Sequence, residues 1–311
     1  MKQVAIVIVT FNGIKWIEKC LKSIYESSVT PEIIIVDNNS NDDTTSYLKK
    51  NHKDITLIES ETNLGFGAGN NLGISIALKR NIDFIFLLNQ DAYLKKDTLS
   101  KLIEVHKNNK KYGILSPIHL NGNDLALDAN FSRYIGQDRN PKLYIDAFTN
   151  KLKTVYSFPF INAAAWFIPS KVIKEVGGFD PAFFHYGEDD NYCHRILYHN
   201  YLVGVVPNCF VNHDREQNMH NLSSLSIKEA IKIKEREYKI QYCNILNNDY
   251  PNKYSVKVNY VKRQLIKNFL RLNLSKANYF YKEFKLLKAI KDKVELSRET
   301  NRIKGSHYIM Q

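Results

Sequence analysis

The sequence has few cysteines, and they are scattered along the chain. The four are Cys20, Cys193, Cys209 and Cys243, and no two of them form a CxxC pair. Such spacing gives neither a disulfide framework nor a zinc ribbon, and it is typical of a protein in a reducing compartment. We therefore predict a cytoplasmic location.

Long hydrophobic runs are also missing. No apolar stretch approaches the ~20 residues that a membrane-spanning helix needs, and Met1–Gln3 leads directly into the strand-like Val4–Val9 without the features of a signal peptide. We therefore expect neither an integral membrane protein nor a secretory leader. Apolar residues nevertheless make up 44% of the chain, which is enough for a core and unlike a disordered protein.

The formal net charge of +12 is confined to the end of the chain. Residues 1–220 carry 24 basic and 24 acidic side chains, whereas residues 221–311 carry 20 basic and 8 acidic ones. A neutral body with a basic appendage differs from a protein that coats nucleic acid, so we predict no nucleic-acid partner. The appendage is expected to meet something anionic.

The first part of the chain alternates strand-like and helix-like segments. The apolar runs 4–10, 33–36, 55–58 and 84–88 predict strands, and a 3.6-residue apolar period over 16–24 predicts a helix between the first two. This alternation predicts an α/β fold with a mostly parallel sheet and helices on both faces.

The pattern changes in the later part of the chain. Residues 113–160 are expected to form loops and short hairpins, and an apolar stretch follows at 158–168. Residues 226–245 and 254–297 are rich in Lys, Leu, Ile, Phe and Tyr and are expected to be helical.

Polar residues follow each strand predicted in the first part. The four clusters are Thr10–Asn12, Asp37–Asn39, Asn63–Asn71 and Asn89–Asp91. In parallel sheets ligands bind beyond the carboxyl ends of the strands. Each cluster alone is compatible with an ordinary polar loop, but four in register favour a binding site at one edge of the sheet.

Two acidic motifs could carry chemistry. Asp91 follows a hydrophobic strand, where it could bind a hard divalent cation together with a diphosphate, although an Asp there is often only a cap or turn residue. Glu188, Asp189 and Asp190 precede a predicted helix. Acids suit a helix N-terminus, but three adjacent ones repel each other, which favours a general base among them.

Two further motifs have a functional and a plain interpretation. His213 follows a strand-like segment and is either a metal ligand or base, or a structural hydrogen-bonding residue. The glycine-rich segment 63–71 is expected to form a loop that leads into a helix, and such a loop could hold phosphate. It follows the third strand, however, and lacks the GxGxxG spacing. Hydride chemistry is therefore disfavoured, and so is a Walker A loop, because GxxxxGK[ST] is absent.

Taken together and in order, these segments resemble a family 2 glycosyltransferase of the GT-A fold, close to its rhamnosyltransferase- and galactosyltransferase-like members. The resemblance covers residues 3–215 and rests on five ordered motifs, which are residues 7–12, 35–42, 63–73, 86–91 and 177–189. It implies a catalytic domain over 1–220, with a nucleotide-sugar-binding part (about 1–112) and an acceptor-side part (about 113–220). The basic helical region 221–311 carries no motif of the family.

The resemblance also implies roles for individual residues. Asp37 would read the base of the nucleotide, Asp91 would bind Mn²⁺ or Mg²⁺, and His213 would be a further metal ligand. Asp189 matches the general base, with Glu188 beside it. Asn89 stands where most members have the first acid of the DxD motif, a departure that rhamnosyltransferase-like members share. The full set of implied donor-binding residues is Thr10, Asn12, Asp37, Asn39, Asn63, Gly65, Asn71, Asn89 and Asp91.

The implied reaction is an inverting transfer from a nucleotide-sugar donor to a hydroxyl of a glycan or polyprenyl-linked acceptor, in the synthesis of bacterial surface polysaccharide. A nucleotidyltransferase is disfavoured because Thr10–Gly13 lacks the basic residues that would hold a triphosphate. A catalytically inactive relative that binds carbohydrate or nucleotide sugar remains an alternative.

The basic region has two interpretations. Within 254–297 apolar residues alternate with Lys and Arg, as in helices that lie on anionic membranes, which would place the protein at the inner face of the cell membrane. Alternatively, the apolar face packs on the catalytic domain or on the second subunit of a homodimer.

Overall fold

The computed structural model describes residues 3–215 and 226–310, and the predicted boundary at residues 220 and 221 lies outside the described residues. The strands of these residues are β1 (Val4–Thr10), β2 (Glu32–Asp37), β3 (Thr56–Glu59), β4 (Phe84–Leu88), β5 (Ala92–Leu94), β6 (Tyr112–Asn121), β7 (Tyr156–Phe158), β8 (Ala165–Pro169) and β9 (Leu202–His213). The helices are α1 (Ile14–Tyr25), α2 (Thr44–Asn51), α3 (Gly65–Lys79), α4 (Thr98–Asn108), α5 (Ala129–Tyr134), α6 (Pro141–Phe148), α7 (Ser170–Val176), α8 (Glu188–Tyr198), α9 (Ile227–Tyr242), α10 (Tyr250–Leu270) and α11 (Leu274–Arg302).

All nine strands form one sheet in the order β3-β2-β1-β4-β8-β6-β9-β5, with β7 beside β9. The first four strands are parallel. Helices α1, α2 and α3 connect them in turn and provide the crossovers that parallel strands require. Beyond β4 the sheet is mixed, since β8 is antiparallel to both of its neighbours. The predicted α/β fold is confirmed.

Helices cover both faces of the sheet and bury it. Ile6 and Ile8 of β1 lie in one core cluster with residues of α1, α2 and α4, whereas Ala5 and Val7 lie in the other with residues of α3, α7 and α8. Burial on both faces explains why β1 is a continuous apolar run rather than an alternating one.

The glycine-rich segment differs from the prediction, because it is the start of helix α3 and not a loop. Its glycines let α3 approach the sheet closely. A Cβ on Gly69 would stand 2.9 Å from Val9, and one on Gly73 would stand 2.4 Å from Cγ1 of Val7. Glycine is unfavourable inside a helix, so the segment resembles a loop when only sequence is considered.

The region 113–160 also differs from the prediction. It contains the ten-residue strand β6 and the short helices α5 and α6. Ser116 and His119 interrupt the apolar period of β6 although both are buried. Helix α5 begins where the Asp128 carboxylate accepts from two backbone N–H groups, and helix α6 is capped by Asn140 in the same way.

The C-terminal stretch predicted as one helical segment is a helical hairpin. Helix α10 ends before Leu272, which has a left-handed φ of 54°, and Asn273 caps α11 by accepting from the Lys276 N–H at 3.2 Å. Helix α9 precedes the hairpin and begins with a capping box between Ser226 and Glu229. No helix in the described parts of the chain has both the length and the apolar character to cross a bilayer.

The C-terminal helices dock on the rest of the protein. The buried Asp180 carboxylate accepts from Ser297 Oγ and from Asn301 Nδ2, both at 2.6 Å. Leu287 and Ile290 of α11 are buried against Tyr238 and Tyr242 of α9. The buried apolar residues in the second half of the predicted stripe therefore pack mainly within the C-terminal region, with Phe183 of the preceding region in the same cluster.

We expect Gly73→Ala to destabilise the protein. The new Cβ would overlap the Val7 side chain at 2.4 Å. Alanine is more favourable than glycine in a helix by about 1 kcal/mol. Overpacking at this contact should outweigh that gain and lower the free energy of unfolding by about 1–3 kcal/mol. Urea unfolding measures the effect.

Gly305→Ala is the matched control, because its Cβ would meet only the imidazole of His307. We expect a change within about 0.5 kcal/mol there. Equal stability of the two variants would show that the approach of α3 to β1 does not require glycine.

Candidate active site

Three adjoining cavities lie along the carboxyl edge of the parallel strands. The first cavity, of about 500 Å³, is lined by Asn38, Asn63, Gly65, Asn89 and Asp91 among others. The central cavity, of about 420 Å³, shares Asn89 and Asp91 with it and adds Glu188, Asp189 and His213. The third cavity, of about 520 Å³, contains Asp189 and Asp190 together with Tyr134, Arg139 and Arg236. The predicted acids and His213 therefore come together from distant parts of the sequence.

The first strand is joined to the Asn89–Asp91 turn through Gln90. Thr10 donates its hydroxyl hydrogen to Gln90 Oε1 at 2.6 Å, and the Phe11 N–H donates to the same oxygen at 3.0 Å. Gly13 leaves room for this side chain, because a Cβ there would lie 2.4 Å from Gln90 Oε1. The Thr10 hydroxyl thus holds the two turns together at the sheet edge.

Asp37, Asn12 and Asn39 shape the next turns. The Asp37 carboxylate accepts from the N–H of Ser40 at 2.9 Å and from its hydroxyl at 2.5 Å. Asn12 and Asn39 have left-handed φ values of 49° and 65°, which asparagine tolerates better than most residues. These three side chains are not among those lining the first cavity, and their role in donor binding stays a prediction.

Asn63, Gly65 and Asn71 behave differently from one another. Asn63 Oδ1 accepts from the Gly65 N–H at 2.8 Å, and both residues line the first cavity. Gly65 has a φ of 80°, and a Cβ there would collide with the Phe184 carbonyl oxygen at 2.1 Å. Asn71 is buried, and its amide is engaged on both sides by the Phe179 backbone.

Asp91 and His213 face each other in the central cavity. His213 Nε2 lies 3.4 Å from Asp91 Oδ1, and Nδ1 of the same ring lies 3.5 Å from Asp128 Oδ2. Burial alone would lower the pKa of His213, but its contacts with Asp128 and Asp91 outweigh burial and raise this pKa to about 8. In return, the His213 contacts hold the pKa values of Asp91 and Asp128 below their usual range although burial opposes this.

The donor set fits a divalent cation that also binds a ligand. The described parts of the chain contain no group of three His, Cys, Asp or Glu side chains arranged to hold a metal by themselves. Asp91 and His213 supply two ligands at one cavity wall, and Asn89 Oδ1 is buried there without a hydrogen-bond partner in the described chain. Mg²⁺ and Mn²⁺ need few protein ligands when phosphate oxygens complete the shell.

The three consecutive acids stand at the beginning of α8. Gly187 precedes them with a φ of 94°. Burial and the charge of Asp189 raise the pKa of Glu188 to about 8 and that of Asp190 to about 7. Burial also raises the pKa of Asp189, although backbone N–H groups, including that of Asp190, favour its ionised form.

Tyr186 is a wall of all three cavities. Its φ of 67° is uncommon for a bulky residue and marks local backbone strain. The ring is 60% exposed, lies 3.9 Å from the His185 ring between centroids, and carries the Arg236 guanidinium at 5.5 Å. Helix α9 of the C-terminal region thus reaches the site through Arg236.

Several residues of the site were not predicted from the sequence. Arg215 lies 3.5 Å from Asp128. It follows His213 by two positions, so its place just after a predicted strand is a signal that could have indicated it. Asp128, Tyr134 and Arg139 come from the region without a clear period, and Arg236 comes from beyond the motifs. No sequence signal placed those four at the site.

The mixed sheet and the cavities at the carboxyl edge of its parallel strands are typical of glycosyltransferases of the GT-A fold. Comparisons with a family model, a curated protein and solved structures agree with this class. The family model described as "Glycosyl transferase family 2" matches residues 5–177, more than half of the chain. The chain belongs to this family, and the predicted membership is confirmed.

The chain is also similar to a curated protein, the low-salt glycan biosynthesis hexosyltransferase Agl10 of Haloferax volcanii. The two are 26% identical over 212 residues, which is 66% of this chain. The chain spans 64% of the length of that relative.

Solved structures show the same fold at low identity. TarS residues 1–349 of S. aureus in complex with UDP-GlcNAc matches with a TM-score of 0.54 and 15% identity, over 96% of this chain and 89% of that one. GalNAc-T7 with UDP, GalNAc and Mn²⁺ matches with a TM-score of 0.53 and 16% identity, over 80% of this chain and 52% of that one. These likenesses establish the GT-A fold.

We expect Asp128→Asn to lower the pKa of His213 by about one unit, because it removes the negative partner of Nδ1. Asparagine can still cap α5, so the fold should persist. An NMR titration of the His213 imidazole measures the change.

Asp146→Asn serves as the control, since Asp146 accepts from the Tyr156 hydroxyl rather than from His213. A His213 pKa that stays near 8 in Asp128→Asn would show that another group sustains it.

Proposed function

We propose that the protein transfers a sugar from a nucleotide-sugar donor to a hydroxyl group of a glycan acceptor, in a single in-line displacement with inversion. One observation carries the proposal: the Asp91–His213 pair and the Asp189 carboxylate line the same central cavity, between two further cavities. Inverting transfer needs a stabilised leaving group on one side of the anomeric carbon and a base on the other.

The first cavity is the proposed donor site. Asn38, Asn63 and Gly65 line this cavity, where their polar groups could meet a nucleoside. The related structures support a nucleotide-sugar donor, because TarS was solved with UDP-GlcNAc and GalNAc-T7 with UDP. Asp91, which lines both this cavity and the central one, would face the diphosphate.

Asp91 and His213 would hold the metal, with Asn89 Oδ1 close by. Once bound, Mn²⁺ or Mg²⁺ would offset the negative charge that develops on the departing nucleoside diphosphate. To act as a ligand His213 must lose one proton, and Asp128 would keep the remaining one on Nδ1. Asp128 would therefore fix the orientation of the ring.

Asp189 is the proposed general base. It lines both the central and the third cavity, where an acceptor hydroxyl would approach the donor sugar. Glu188, with a pKa of about 8, remains largely protonated at pH 7 and is a poor base there. Asp189 would take the hydroxyl proton while the oxygen attacks the anomeric carbon.

The third cavity is the proposed acceptor site. Tyr134 and Phe160 supply apolar rings on which a sugar can stack, and Arg139 and Arg236 supply donors of hydrogen bonds. The name of the Haloferax relative supports glycan synthesis. A polyprenyl-linked acceptor, surface polysaccharide as the product, work at the inner face of the membrane and a homodimer remain predictions.

The acid cluster favours an enzyme over an inactive binding relative. Three crowded carboxylates with raised pKa values destabilise the fold at neutral pH, which is a cost that sugar binding alone does not require. A nucleotidyltransferase is less compatible, because the turn after β1 is closed by Gln90 and offers no basic side chain between residues 10 and 13.

We expect Asp189→Asn to lower the rate of sugar transfer by about a thousandfold or more, because Asp190, the other partly ionised acid, lines the third cavity but not the central one. Donor affinity should change little, since the first cavity does not include this residue. Transfer is followed by release of nucleoside diphosphate, and donor binding by calorimetry.

Glu188→Gln is the matched comparison, because it replaces a largely neutral acid by a neutral amide. We expect a loss of about tenfold or less at pH 7. Near-normal transfer by Asp189→Asn with intact donor binding would overturn the assignment of the base.

A panel of sugar nucleotides tests the donor and the metal together. We expect nucleoside diphosphate release with at least one donor in the presence of Mn²⁺ or Mg²⁺, and a loss of about a hundredfold or more with EDTA or in Asp91→Asn. Full activity of Asp91→Asn in EDTA would contradict a metal held by Asp91. Asp97→Asn, on the exposed start of α4, is the control variant.

A further inference from the structure

The turn between α10 and α11 exposes a group of large apolar side chains. We call this group the hairpin tip, and its members with their exposed fractions are Ile266 (50%), Phe269 (63%), Leu270 (75%), Leu272 (83%) and Leu274 (64%). They lie within nine residues of one another in sequence, at the end of the hairpin. Contiguous exposed apolar residues of this kind mark an interaction site more often than chance exposure does.

The tip is distinct from the part of the hairpin that packs inside the protein. Val261 on α10 and Leu287, Ile290 and Val294 on α11 are buried in the cluster that joins the hairpin to α9. The tip residues belong to none of the core clusters formed by the described residues. The apolar stripe of the sequence is therefore divided into a packed base and an uncovered end.

The charge around the tip has one sign. Residues 250–282 contain eight Lys and Arg and no Asp or Glu. Among the described residues, no ion pair within 4 Å involves Lys262, Arg263, Lys267, Arg271 or Lys276. Cations without an ion-pair partner in the described parts of the chain thus lie before, within and after the apolar tip in the sequence.

These two properties together restrict what can cover the tip. A second copy of this chain would bring the same Lys and Arg side chains against those of the first copy. Repulsion between these like charges would oppose the contact. A nucleic acid would neutralise the cations but would leave leucine side chains in water. An anionic lipid surface satisfies both, because its headgroups attract the cations and its acyl region accepts the apolar side chains.

We propose that the hairpin tip inserts into the interfacial region of an anionic lipid bilayer and holds the protein on that surface. Phe269, Leu270 and Leu272 enter the boundary between headgroups and acyl chains. Lys267 and Arg271, respectively two positions and one position from the nearest of them, remain at the headgroup level and contact lipid phosphates. This inference does not depend on the transferase proposal, because it rests on the hairpin alone.

Flotation of the intact protein with vesicles tests the inference. The vesicles contain phosphatidylcholine alone or with about 30% phosphatidylglycerol, and we expect binding to the anionic vesicles that weakens in about 0.5 M NaCl. The triple variant Phe269→Ser/Leu270→Ser/Leu272→Ser should bind at least about tenfold more weakly. Lys267→Gln/Arg271→Gln should lose most of the preference for anionic vesicles.

The control variant is Leu125→Ser/Phe148→Ser, which removes two side chains that are 82% and 86% exposed but lie outside the hairpin. It should bind the vesicles like the unaltered protein. Circular dichroism and thermal unfolding confirm that each variant is folded, which is expected because none of the altered side chains is buried. Equal vesicle binding by the triple variant and the unaltered protein would overturn the proposal. So would a dimer that the triple variant breaks while vesicle binding is absent.

Discussion

Two hydrogen bonds between the Asn71 amide and the Phe179 backbone hold the two halves of the site in one arrangement. Asn71 Nδ2 donates to the Phe179 carbonyl at 2.8 Å, and the Phe179 N–H donates to Asn71 Oδ1 at 2.7 Å. Gly178 lies so close that a Cβ there would stand 2.4 Å from the same Oδ1. Because a buried amide is costly unless both its ends are paired, helix α3 and the segment leading to the acids are fixed to each other.

The site separates its ionisable groups into two environments. Asp91 and Asp128 lie beside the cationic His213 and Arg215, which favour their ionised forms. Glu188 and Asp190 are buried next to another carboxylate, which favours their protonated forms. Such opposed shifts within one site are how acid and base roles are distinguished at neutral pH. In the proposed reaction, the charges that would attract a diphosphate and the carboxylate that would accept a proton are thus kept apart.

The parts of the fold that depend on local pattern were predictable from the sequence. Strands β1, β2 and β4 are largely buried and read as continuous apolar runs, whereas β3 at the sheet edge is only half-buried. The polar residues after these strands indicated the edge where Asp91 lies. The start of α3 was not predictable, because Gly69 and Gly73 fit the helix only through their contacts with Val9 and Val7. Asp128 and His213 are in contact although they are 85 positions apart in the sequence. A local pattern of apolar and polar residues cannot predict a contact over that separation.

The docking of α11 through Asp180 has a consequence for how the chain can be divided. Composition alone suggests a neutral body and a detachable basic tail, yet Ser297 and Asn301 supply two of the three donors to the buried Asp180 carboxylate, the third being the Ala182 N–H. A chain that stopped at residue 220 would leave this carboxylate underpaired, nine residues before Asp189. The C-terminal helices therefore support the segment that leads from Asp180 to the acids. In a chimera with a relative, we expect a stable fold only when this segment and the C-terminal helices come from the same protein.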